Sequence, residues 1–295
     1  MKHQAAGQMN GSRGRRPLRD PAPTAGRSIL KPQHRLPAFA VGVLVLEAVA
    51  FALQLGRDVT PFVLVLIPAV AAVVVSALSG GRAAVGRLAR RVGRVRVGAR
   101  WYLIALGIPV ADKLLVDVAG VLLGMTTPDR LLQALTLSAL AVPFVVLLPG
   151  LLEELGWRGF GVQTAVDEGH SPAWAVAVVG TLFLALHVPL YLPGQLYAGL
   201  SFWPLPITLF SYSILLTWVY LRTRSVLVTG LMHATFNGTV PLTWGLDADW
   251  VWAARAIVLI VITTLVVGRI GLTWWRTPLA ATYPTDTVER SHYAR

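Results

Sequence analysis

The sequence predicts an all-α fold, a polytopic membrane helical bundle, and three observations carry that expectation. Of the 295 residues, 55% are hydrophobic and the mean hydropathy is +0.63, a composition foreign to a soluble domain. The apolar residues fall in about eight runs, at 36–55, 60–78, 101–123, 131–152, 172–192, 205–221, 226–243 and 252–272. Most approach the ~20 residues that cross a ~30 Å hydrocarbon core as a helix. Charged residues concentrate between these runs, as in membrane proteins. Lipid offers backbone N–H and C=O groups no partner, so runs of this length suit helices rather than barrel strands.

Residues 1–35 are rich in Gly, Pro and Arg without apolar periodicity and read as a disordered basic cytoplasmic tail. The first apolar run begins only at Leu36 and is long enough to span, which argues against a signal peptide. Residues 36–275 then form one transmembrane domain, and 276–295 a second cytoplasmic tail. Orientation follows from the arginines. Arg13, Arg15, Arg16, Arg19, Arg27 and Arg35 precede the first run; Arg82, Arg87, Arg90, Arg91, Arg94, Arg96 and Arg100 follow the second. Arg158, Arg222 with Arg224, and Arg276 follow the fourth, sixth and eighth. The alternate loops hold Arg57 with Asp58, Asp129 with Arg130, and Asp247 with Asp249. Both termini are therefore expected in the cytoplasm. Arg255, near the outer end of the last run, is the one cation that fits poorly.

The formal net charge of +12 raises nucleic acid as a partner, but arginines beside apolar spans are accounted for by orientation and anionic lipid. The expected partner is the lipid bilayer, with no nucleic acid. There is no cysteine, hence no disulfide framework, thiolate nucleophile or thiolate metal site.

The chemistry gathers at Leu151-Leu152-Glu153-Glu154-Leu155-Gly156-Trp157-Arg158, at the end of the fourth run. Two carboxylates beside hydrocarbon are costly unless compensated or used. If the helix continues past Pro149-Gly150, Glu154 and Arg158 stand at i and i+4, a spacing suited to an ion pair. Glu153 lies about 100° round the helix, free to face another group. Only two of the six histidines fall within apolar runs, His187 and His233. Asn237 is i+4 from His233 and so shares its helix face. Singly, an intramembrane His or Asn is most often a helix–helix hydrogen bond. Asp112, Lys113, Asp117 and Glu47 are further polar residues within runs; Lys113 and Asp117 are spaced as an internal ion pair.

Glu153-Glu154-x-x-x-Arg158, Phe183-x-x-x-His187 and His233-x-x-x-Asn237, in this order, resemble the three motifs of the CPBP family. These are intramembrane glutamic endopeptidases related to the type II CAAX prenyl protease, also called the Abi family. The resemblance covers about residues 130–245 and implies an eight-helix fold with a cavity open to the cytoplasm. It implies Glu153 and His187 as the pair that activates water, and His233 and Asn237 as oxyanion donors. Glu154 with Arg158 is then a brace, Phe183 a supporting residue, and no metal or other cofactor is needed. Such donors are worth ~3–4 kcal/mol each in soluble enzymes.

Two other classes stay open at this point: a non-catalytic immunity or chaperone-like membrane protein on the same scaffold, and a zinc-dependent protease or transporter. Two histidines and a carboxylate on three helices are permissive for zinc, yet there is no His-Glu-x-x-His. The expected substrate is a membrane-associated peptide or protein. The arginine- and alanine-rich composition points to the plasma membrane of a high-GC bacterium, where prenylated CAAX proteins are not expected. Assembly carries a condition of depth. His233 lies ~11 Å into its run and His187 ~22 Å beyond Pro172, so the fifth span must begin in the cytoplasm.

Overall fold

The computed structural model describes residues 29–53, 59–129, 147–239 and 249–278, and the regular elements among them are helices without strands. The expectations for 1–28, 131–146, 240–248 and 279–295 lie outside the described residues. In order come α1 (Arg35–Ala52), α2 (Thr60–Val92) and α3 (Ala99–Leu122). Then α4 (Leu147–Glu154) runs unbroken through a π-helical stretch, Leu155–Val162, into α5 (Gln163–Asp167). After these come α6 (Pro172–His187), α7 (Pro204–Thr223), α8 (Val226–Thr239), α9 (Asp249–Ile270) and α10 (Leu272–Arg276).

Local chemistry sets the boundaries that matter for the site. Ser171 precedes Pro172, and its hydroxyl accepts from the Trp174 N–H at 3.2 Å, capping α6 where proline's missing donor costs nothing. Arg224 closes α7 in the left-handed region at φ 53°, and α8 starts two residues later at Val226. There the Ser225 hydroxyl accepts from the Val228 N–H at 3.3 Å and donates to the Arg94 carbonyl at 2.6 Å. The turn between α7 and α8 is thereby tied to the basic segment.

Five of the described helical segments are long and apolar enough to cross a membrane: Pro32–Ala52, Thr60–Val92, Pro172–Tyr191, Pro204–Thr223 and Asp249–Ile270. Helices α7 and α8 are buried on nearly every face, whereas α1, α2, α3 and α9 turn Val41, Leu44, Phe62, Leu103, Ile257 and Leu265 outward. Water would not tolerate so broad an apolar belt; lipid would. The protein is a helical membrane protein.

Glycine allows the closest approaches. A Cβ on Gly156 would lie 2.4 Å from the Pro68 carbonyl of α2, and one on Gly150 only 2.8 Å from the Gly230 carbonyl of α8. Without a hydrophobic drive between helices in lipid, such backbone contact is a main source of association. It draws the two glutamates of α4 against α8.

Two differences from the sequence expectation have plain causes. Helix α2 extends past residue 78 to Val92, broken at Gly80 and Gly81, where Gly81 has φ 55°. The break turns an amphipathic end of the helix, burying Leu88 while Arg82, Arg87 and Arg90 stay exposed. The last residues assigned to the N-terminal tail also join the fold: the Ile29 and Leu30 N–H groups donate to the Leu78 carbonyl at 3.0 and 3.2 Å. Lys113 and Asp117 form the ion pair their spacing suggested.

The arginine asymmetry can be tested directly in this cysteine-free chain. A single cysteine replacing Arg90 should resist a membrane-impermeant maleimide in intact cells, while one replacing Asp247 should react. Labelling of position 90 from outside would overturn the expected orientation.

Candidate active site

Glu153 and Glu154 end α4 where the winding changes from α to π. A π-helical stretch is less stable than α-helix and recurs at functional sites, so its position here is informative. The arrangement keeps Glu154 and Arg158 paired, with Arg158 Nη1 donating to Glu154 Oε1 at 2.8 Å and both side chains fully buried. Beyond it, an Arg91 guanidinium nitrogen donates to the Gly159 carbonyl, fastening the basic segment to the π-helical turn.

The same Glu154 oxygen receives a second donor. His233 Nδ1 lies 2.9 Å from Glu154 Oε1, and because a carboxylate only accepts, Nδ1 carries a proton. The other ring nitrogen, His233 Nε2, faces Glu153 Oε1 at 3.9 Å, too far for a hydrogen bond but close for unscreened charge. His187 is fixed by its own helix. Its Nδ1 lies 2.8 Å from the Phe183 carbonyl, so Nδ1 donates and Nε2 presents a lone pair in the neutral ring.

Phe183 joins the two imidazoles. Its ring meets His187 edge-on with centroids 4.9 Å apart and His233 at 5.8 Å, while the Arg158 guanidinium sits 5.6 Å from its centroid. Trp157, itself fully buried, packs on Phe183 at 5.7 Å and on Phe39 at 5.9 Å. An aromatic wall thus stands behind the polar groups, and one ring on α6 contacts both histidines.

Six of the residues singled out in the sequence, Glu153, Glu154, Arg158, Phe183, His187 and His233, form one cluster. Asn237 stands on the His233 face of α8, exposed, and without a hydrogen-bond partner among the described residues. Glu153 approaches His233 and makes no hydrogen bond with His187 in the described residues. Among those residues no three His, Asp or Glu side chains gather closely enough to hold a metal ion.

Sequence reasoning missed two neighbours. Tyr197, in the loop after the 3-10 turn Val188–Tyr191, is within electrostatic reach of Glu153. Burial, with Tyr191 and Glu153 adding to it, pushes its hydroxyl well above the ordinary phenol range, so it stays neutral and able to donate. No local pattern distinguishes this tyrosine. The second is Arg255, the misfit cation, which forms a buried ion pair with Asp112: Nε to Oδ2 is 2.8 Å. These partners are 143 residues apart, and only the fold joins them.

The described residues thus bring two carboxylates, two imidazoles and one guanidinium to one centre within a helical membrane protein. Residues 135–239 match the family described as Type II CAAX prenyl endopeptidase Rce1-like. No curated protein matches the chain.

Proposed function

We propose that the chain is an intramembrane endopeptidase that hydrolyses membrane-associated peptide or protein substrates with a glutamate-activated water. The observation that carries this reading is that the two imidazoles, each engaged at Nδ1, have different partners. His187 spends its Nδ1 proton on the Phe183 carbonyl and offers Nε2 as an acceptor, while His233 commits Nδ1–H to Glu154 and turns Nε2 toward Glu153. Two carboxylates and one guanidinium leave one negative charge over, which an imidazolium at His233 neutralises. His233 then has a second N–H to give.

In the reaction, Glu153 takes a proton from water while His187 Nε2 accepts a hydrogen bond from the O–H that remains. The water oxygen bonds to the scissile carbonyl carbon. Negative charge moves to the carbonyl oxygen, met by His233 Nε2–H and the Asn237 amide. Glu153 returns its proton to the leaving nitrogen as the C–N bond breaks, giving a carboxylic acid and an amine. No covalent enzyme intermediate forms, unlike in serine or cysteine proteases. Asn237 is open to this role: no hydrogen bond to another described residue claims its amide. The arginine asymmetry and composition favour the plasma membrane of a bacterium, with the centre reached from the cytoplasmic side.

The test is peptide hydrolysis by purified protein. Asn237→Ala should lower the rate on the order of a hundredfold or more, the effect of removing one oxyanion donor. EDTA or phenanthroline should leave the rate unchanged. Loss on chelation with recovery on added zinc, or an Asn237→Ala variant of full activity, would defeat the mechanism.

A further inference from the structure

The buried pair of Asp112 on α3 and Arg255 on α9 takes no part in the proposed reaction, yet it reaches the site. Arg255 uses three separate contacts. Its Nε meets Asp112 Oδ2 at 2.8 Å, while Nη2 donates to the Phe236 carbonyl at 2.9 Å and approaches Thr239 Oγ1 at 3.5 Å. The Thr239 hydroxyl donates to that same carbonyl at 3.0 Å. The guanidinium also lies beside two aromatic rings, 5.4 Å from the Tyr212 centroid and 5.8 Å from that of Phe236. Those two rings stack on each other at 4.0 Å.

The Phe236 carbonyl belongs to the peptide unit whose nitrogen is Asn237's own. Gripping that oxygen fixes the plane from which the Asn237 side chain projects. The contact lies in the last described turn of α8. A charge so deep in a membrane protein calls for a specific use or a specific partner. Here the partner is Asp112, which leaves the planar fork free to hold the carbonyl.

We propose that Arg255, oriented by Asp112, is a positioning residue that sets the direction of the Asn237 amide. This rests on the proposed role of Asn237, and the test separates the two. Arg255→Lys keeps the charge beside Asp112 but loses the fork, so kcat should fall about tenfold with KM unchanged. In an Asn237→Ala background the same substitution should cost nothing further, because the group it positions is gone. A second measurement needs no activity. The chain has no native cysteine, so a nitroxide at Asn237→Cys reports that one site. Its spectrum should show greater mobility with Arg255→Lys, while a nitroxide at Leu231→Cys, earlier on α8, should not change. Equal losses with and without Asn237, or mobility rising equally at both label sites, would reduce Arg255 to a stability role and overturn the proposal. A shift confined to position 237 in a protein without peptidase activity would sustain the positioning and count against the peptidase reading instead.

Discussion

Glu153→Gln is expected to abolish peptide hydrolysis while leaving the fold intact. The substitution keeps the shape and removes the one group placed to take a proton from water. General acid–base catalysis contributes on the order of 10²–10⁴-fold, and here the same carboxylate also returns the proton to the leaving nitrogen. The loss should therefore reach the upper part of that range, in kcat rather than KM. Structure should survive because Glu153 has no hydrogen-bond partner among the described residues: the His233 Nε2 is 3.9 Å away, whereas Glu154 holds both Arg158 and His233. His233 can give up a proton when the neighbouring charge goes, a relaxation closed to an arginine. A proteomic comparison of membranes holding the intact protein or Glu153→Gln would show the uncut substrates accumulating in the second. Full hydrolysis by Glu153→Gln would remove the proposed mechanism.

What the sequence disclosed divides by distance along the chain. Spans of lipid-compatible length, the Glu154–Arg158 spacing and the Lys113–Asp117 spacing are local patterns. The two spacings follow from helical periodicity and both form ion pairs, and five of the expected spans are helices long and apolar enough to cross a membrane. The unbroken helix past Pro149 and Gly150 follows from the same periodicity; its π winding does not, because the winding depends on how Gly156 seats against Pro68 of another helix. Arg255 looked misplaced because orientation rules count charges at membrane edges, whereas this cation is neutralised by a carboxylate on α3. Helical spacing pairs Glu154 with Arg158 alone, yet in the structure His233 hydrogen-bonds it as well. Two adjacent acids are indistinguishable until the partner helix arrives. Asp112 and Tyr197 carry no local signature at all, and their places follow from packing between elements far apart in sequence.

The largest stability effect is expected at the brace, where Glu154→Gln or Arg158→Ala should lower the melting temperature in detergent more than Glu153→Gln. Both partners are fully buried and joined at 2.8 Å, and breaking such a pair by removing one member typically costs ~3–5 kcal/mol. Arg158→Ala leaves two carboxylates facing one imidazole and empties space beside Phe183, against which the guanidinium rests. Glu154→Gln strips charge from the oxygen that receives both Arg158 and His233, leaving the guanidinium without its carboxylate. The buried charge is the source of the cost, so removing both charges together should restore much of the stability. Glu154→Leu with Arg158→Met is the variant to make, because well-packed apolar replacements of buried ion pairs are often neutral or stabilising. It should melt above either single variant and still lack activity, since His233 loses the acceptor that fixes its ring. A melting series in which Glu153→Gln is the most destabilised, or in which the double variant falls by the sum of both singles, would show that the pair is not a brace.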